Sequence, residues 1–75
     1  MKATVGRIVH YQSYGTPGGE FLATPRAAII AEVHSADRGD VSVCVLNPSG
    51  IFFNRVQYSE HPEPGCWNWP PREDT

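Results

Sequence analysis

Val41-Ser42-Val43-Cys44-Val45-Leu46 (residues 41–46) alternates valine with a second set of side chains over six positions. Side chains along a strand point to opposite faces in turn. This spacing predicts a β-strand with Val41, Val43 and Val45 on one face and Ser42, Cys44 and Leu46 on the other. Cys44, inside so apolar a run, is expected as a small core residue. Asn47-Pro48-Ser49-Gly50 follows with the chemistry of a four-residue turn. Ile51–Tyr58 (IFFNRVQY) then reads as the next strand, in which Phe52 and Phe53 must face opposite sides. Upstream, Ser35–Asp40 (SADRGD) carries Gly39 and reads as a hairpin connection. Before it, Arg26–His34 (RAAIIAEVH) is expected as a strand with Ile29, Ala31 and Val33 on one face and Ala28, Ile30, Glu32 and His34 on the other. Ala and Glu favour a helix there. The run is short for one, however, and Pro25 biases its predecessor to extended geometry. Residues 26–58 therefore read as a three-stranded meander.

Outside the meander, Thr4–Tyr11 (TVGRIVHY) is the expected first strand, with Gly6 marking a bulge or a close backbone approach. Gln12–Pro25 holds Ser13, Gly15, Pro17, Gly18 and Gly19, which makes it a loop. Within it, Glu20–Ala23 is placed as a short edge strand. After Tyr58 the prolines Pro62, Pro64, Pro70 and Pro71 break regular structure. Residues 59–75 are expected to run over the domain as an extended arm, ordered at Gly65–Trp69.

Seven valines and four isoleucines against two leucines favour strands. The expected fold is all-β: a small, strongly bent sheet or SH3/OB-like barrel over residues 1–58, with a C-terminal arm over 59–75. Seventy-five residues permit one domain. So small a core leaves sheet surface bare, and homo-oligomerisation through the Trp67/Trp69 arm is the expected remedy.

The formal net charge of −2 excludes a general nucleic-acid coat, which needs a basic stripe. The opening residues lack the apolar core of a signal peptide, and Ala27–Ala31 is far too short to span a bilayer. The chain thus reads as soluble and intracellular. Cys44 and Cys66 are too few for a disulfide scaffold and have no CxxC partner. With His10, His34 and His61 scattered, neither metal nor cofactor is expected.

Trp67 and Trp69 lie two apart and share a face of an extended segment. They either clamp the tail onto a barrel or form a stacking platform for a base. Five arginines stand against the single Lys2. Arginine makes planar, bidentate contacts to phosphate, so this preference suits a phosphate-bearing ligand. Arg7, Arg26 and Arg55 are the candidates, and Arg38 and Arg72 read as solubilising. Tyr11 and Phe53 offer rings, and His10 a hydrogen bond. Glu32 and His34 permit a carboxylate–imidazole pair. No paired acids or nucleophile set marks an enzyme.

Val5-Gly6-Arg7-Ile8-Val9-His10-Tyr11, Pro25–Ile30 and Pro64-Gly65-Cys66-Trp67-Asn68-Trp69-Pro70 together resemble small proteins encoded by bacterial viruses. That group carries a GRIVHY opening, a PAxI strand and a closing PGTWHWP. This chain departs from it at Cys66, where the pattern has Thr, and at Asn68, where it has His. Compact, oligomeric viral proteins of this size are similar in style to those that sequester nucleotide messengers of bacterial immunity. The resemblance implies a non-catalytic trap for a cyclic ADP-ribose-type molecule or cyclic dinucleotide, acting in the host cytoplasm against anti-phage defence. On that reading Arg7, His10, Tyr11, Arg26, Phe53, Arg55, Trp67 and Trp69 form the ligand site. The alternative is a virion or assembly accessory protein that binds a protein partner through its Trp-rich tail.

Overall fold

The computed structural model describes residues 2–14, 24–48 and 50–71. Five strands make up a small closed barrel: β1 (Ile8–Gln12), β2 (Pro25–Ser35), β3 (Asp40–Asn47), β4 (Gly50–Tyr58) and β5 (Cys66–Asn68). The chain is all-β, and among the described residues there is no helix. β2, β3 and β4 form the antiparallel meander, and β1 pairs antiparallel with β2. β5 closes the ring by pairing antiparallel with β1 and parallel with β4. The Glu20–Ala23 edge strand lies outside the described residues.

Alternation fills the interior. Val41, Val43 and Val45 are fully buried, joined by Val9 and Tyr11 of β1, Ala28 and Ile30 of β2, Val56 of β4 and Trp67 of β5. Cys44 is a correction to the core reading. Its position matches that of Ser42 and Leu46, so once the valine row faces inward Cys44 must face outward, and it is only half-buried there. The β2 faces also differ from expectation. Ala28 and Ile30 point inward, but the pairing with β3 slips between Ile30 and Glu32 and again between Val33 and Ser35. Each slip inserts an extra residue and reverses the alternation, so Val33 packs on the same core as Ile30.

Gly6 is a bulge, as its place in the first run implied. Its φ is +92°, and it is the third residue of the turn closed by Arg7 N–H to Thr4 O (3.2 Å). Gly6 N–H donates to Ile30 O and Ile30 N–H donates to Arg7 O, so two residues oppose one. That is a glycine-type bulge, which needs the left-handed conformation open to glycine.

The segment after β4 contributes a strand to the barrel itself. Ser59 N–H donates to Trp67 O, and Gly65 N–H donates to Gln12 O at 2.8 Å. Trp67 is 2% exposed. Burying an indole of this size is worth roughly 4–6 kcal/mol by surface transfer, an upper bound, which makes β5 the clasp of the fold.

Candidate functional site

At one end of the barrel lies a cleft of about 310 Å³ lined by Ala3, Ala36, Asp37, Arg38, Gly39, Tyr58, Trp67 and Trp69. Four segments build it, the first being Ala3 ahead of β1. The β2–β3 turn supplies residues 36–39, the end of β4 supplies Tyr58, and β5 with the residue after it supplies the two tryptophans.

Gly39 joins these elements. Its φ is +66°, and an added Cβ would strike the Tyr58 Cβ and touch the Trp67 ring. The close approach lets Trp67 Nε1–H donate to Gly39 O at 2.7 Å. That bond satisfies the one polar atom of a buried indole. Tyr58 then packs edge-on to Trp67, with centroids 5.0 Å apart and planes at 64°, and Trp69 does the same at 5.1 Å and 84°. Trp67 is thus the fixed floor, while Tyr58 and Trp69 keep accessible surface as walls. Arg38 and Asp37, both exposed on the turn, put one charge of each sign at the mouth.

Of the eight residues singled out in the sequence, Trp67 and Trp69 line this cleft and six do not. Arg7 is exposed, and its Nε–H donates to Thr4 Oγ1. His10 is half-buried opposite Ala27 and Asn68. Tyr11 is a core residue, edge-on to Phe52 at 5.9 Å. Arg26 is its half-buried cross-strand partner. Phe53 stands outward on β4. Arg55 is engaged with Asp40 through both Nε (3.0 Å) and Nη2 (2.7 Å). These two hydrogen bonds hold the Asp40 carboxyl below its ordinary pKa and raise that of Arg55. Ala3, Ala36, Asp37, Arg38, Gly39 and Tyr58 are the lining residues missed from the sequence. The signal that points to them is Gly39 itself, a glycine in a charged turn that must sit against a large ring.

A second polar cluster crosses β2 and β3. Glu32 Oε1 lies 3.3 Å from His34 Nδ1, and His34 Nε2 lies 2.8 Å from Ser42 Oγ. The order carboxylate, imidazole, hydroxyl is that of an activated nucleophile. None of the three lines the cleft, and Glu32 stands in water, which competes for each contact. Here the set acts as a brace across the second irregularity of β2. Burial, and secondarily Glu63, pushes the Cys66 thiol up, which makes it a poor nucleophile. Among the described residues no group of three His, Cys, Asp or Glu side chains could hold a metal ion. No described helix is long and apolar enough to cross a membrane.

Comparison of the chain with known protein families, with curated proteins and with solved structures finds no match.

Proposed function

We propose that this protein is a non-catalytic binding module that seats a nucleotide-class ligand in the Tyr58–Trp67–Trp69 cleft. The observation that carries the reading is the combination of aromatic walls, a fixed aromatic floor and Arg38 within one cleft of about 310 Å³. That volume lies at the small end of ligand sites and suits one base with its sugar. A base lying against Trp69 or Tyr58 gains roughly 1–3 kcal/mol from stacking. Arg38 supplies a charge-assisted contact to phosphate. Asp37 repels phosphate, so its role is to accept from a ribose hydroxyl or an exocyclic amine.

The resemblance to small viral proteins makes immune messengers, cyclic ADP-ribose derivatives and cyclic dinucleotides, the first ligands to test. Tryptophan fluorescence reads the site directly, because both indoles line it. Saturable quenching by one of these nucleotides, followed by recovery of the intact molecule on heating, supports a trap. Recovery of a changed molecule indicates an enzyme. Quenching by a proline-rich peptide and by no nucleotide favours the accessory-protein reading, since aromatic grooves also hold extended proline segments.

A further inference from the structure

The β2–β3 turn places opposite charges on consecutive residues, Asp37 and Arg38, and both line the mouth of the cleft. Their Cα atoms are about 3.8 Å apart, so a ligand seated there meets an acceptor and a cation as near neighbours. An ionised aspartate only accepts hydrogen bonds, through two oxygens in one plane. It repels a phosphate and suits a pair of donors. Arg38 alone would serve a phosphate better, so Asp37 has to earn its place by selecting among phosphate-bearing ligands.

A ribonucleotide offers such donors in two places, the vicinal hydroxyls of its sugar and the amine edge of its base. The hydroxyls share one ribose ring with the 5′-phosphate, as Asp37 and Arg38 share one peptide unit. A base stacked on Tyr58 or Trp69 carries its amine edge away from the sugar and its phosphate. The sugar hydroxyls are therefore the donors that Asp37 reaches while Arg38 holds the phosphate.

We propose that the cleft selects 5′-phosphorylated ribonucleosides whose 2′,3′-diol is free. Arg38 holds the 5′-phosphate, Asp37 accepts from the two hydroxyls, and Tyr58 or Trp69 stacks the base. This selectivity rests on the nucleotide reading of the cleft and narrows it. A 3′,5′-linked phosphodiester removes one donor and sets an anion on the oxygen facing Asp37. Specificity then comes from repulsion as well as attraction. The volume argues the same way independently. About 310 Å³ suits one base with its sugar, whereas a cyclic dinucleotide carries two of each. Of the ligand types put forward above, the cleft thus turns away 3′,5′-linked cyclic dinucleotides and favours single nucleotides with an open diol.

The test is a titration panel on the isotopically labelled full chain, read at the indole N–H resonances of Trp67 and Trp69, which both line the cleft. The probes are the ribonucleoside 5′-monophosphates, their 2′-deoxy and 3′,5′-cyclic counterparts, cyclic di-AMP and cyclic di-GMP. At least one 5′-monophosphate should shift the indole signals saturably. Its 2′-deoxy form should bind roughly tenfold more weakly, and its 3′,5′-cyclic form and the dinucleotides more weakly still. Asp37→Asn, at an exposed turn position, removes the charge and keeps an acceptor. It should narrow the gap between the 5′-monophosphate and its cyclic form by about threefold or more. Asp37→Ala provides the second variant should the first fail to fold. A 3′,5′-cyclic nucleotide or cyclic dinucleotide that binds as tightly as the best 5′-monophosphate overturns this selectivity and leaves the nucleotide reading standing. A folded Asp37→Asn chain with unchanged preferences does the same. Indole signals that respond to no probe at millimolar concentration overturn the nucleotide reading and the selectivity together.

Discussion

Trp67 Nε1–H donates to the carbonyl oxygen of Gly39 at 2.7 Å, across 28 residues of chain and inside the barrel. The bond ties β5, the last strand, to the turn between β2 and β3. Cleft and clasp are therefore one construction: the indole that closes the barrel is also the floor of the cleft.

Trp67→Phe keeps an aromatic floor but removes the donor, leaving Gly39 O buried against a smaller ring. An unmet buried acceptor costs about 1–3 kcal/mol, and the lost volume adds to it. We expect at least about 2 kcal/mol of destabilisation, read as a lower urea midpoint with the slope unchanged. A midpoint equal to that of the unmodified chain would show that the bond is not formed in solution.

Two of the three described glycines at positive φ, Gly6 and Gly39, separate backbone strain from steric overlap. Alanine at Gly6 meets open space and bears only the left-handed conformation, about 1–2 kcal/mol. Alanine at Gly39 bears the same strain and also collides with the Cβ of Tyr58, which is fixed to its backbone and cannot swing aside. Gly39→Ala should therefore be the more destabilising by about 2 kcal/mol in denaturant titrations. It should also lower the intensity of the tryptophan emission change on ligand binding, because the collision pushes Tyr58 and Trp67 apart.

Asp40 sets a pH dependence of defined sign. Arg55 holds its folded-state pKa below the ordinary value, so the folded chain takes up this proton less readily than the unfolded chain. The contribution is complete above the ordinary carboxylate pKa and is lost as pH falls through the depressed folded value. Asp40→Asn should flatten the acid limb of a thermal-melt series below about pH 4 and leave the neutral limb parallel. An unchanged acid limb would mean that the pair is absent in solution.

The strand pattern was legible because the core is mostly β-branched and alternates cleanly, as at Val41, Val43 and Val45. It failed at Val33, where the slip between Ile30 and Glu32 reverses the alternation; no residue near Ala31 announces it. Cys44 sits in an apolar run, but its place in the alternation, out of step with the valine row, turns it outward. The cleft was legible only in its tryptophans. Arg55 looks free in the sequence, yet Asp40 lies fifteen residues away and only the β3–β4 register brings them together. Arg38 looks like a solvated turn residue, and the fold places it in the lining of the cleft that also holds Trp69.

That exchange of roles between two arginines gives the sharpest test of the ligand site. If a nucleotide binds in the cleft, its phosphate needs a cation that is not already engaged by a carboxylate at bonding distance. Arg55 is held by Asp40 through two hydrogen bonds, and recruiting it would mean breaking both. Arg38 lines the cleft itself. A charge-assisted contact is worth about 1.5–3 kcal/mol, so Arg38→Ala should weaken binding of a quenching nucleotide roughly ten- to a hundredfold. Trp69→Ala, which removes a stacking wall but not the buried floor, should weaken it by a similar factor and keep the fold. Arg55→Ala should change affinity little, while abolishing the pH effect that Asp40→Asn also removes. Calorimetry on the three folded variants decides between the two arginines. Loss of affinity in Arg55→Ala with Arg38→Ala unaffected would move the site off the cleft and onto the outer face of β4.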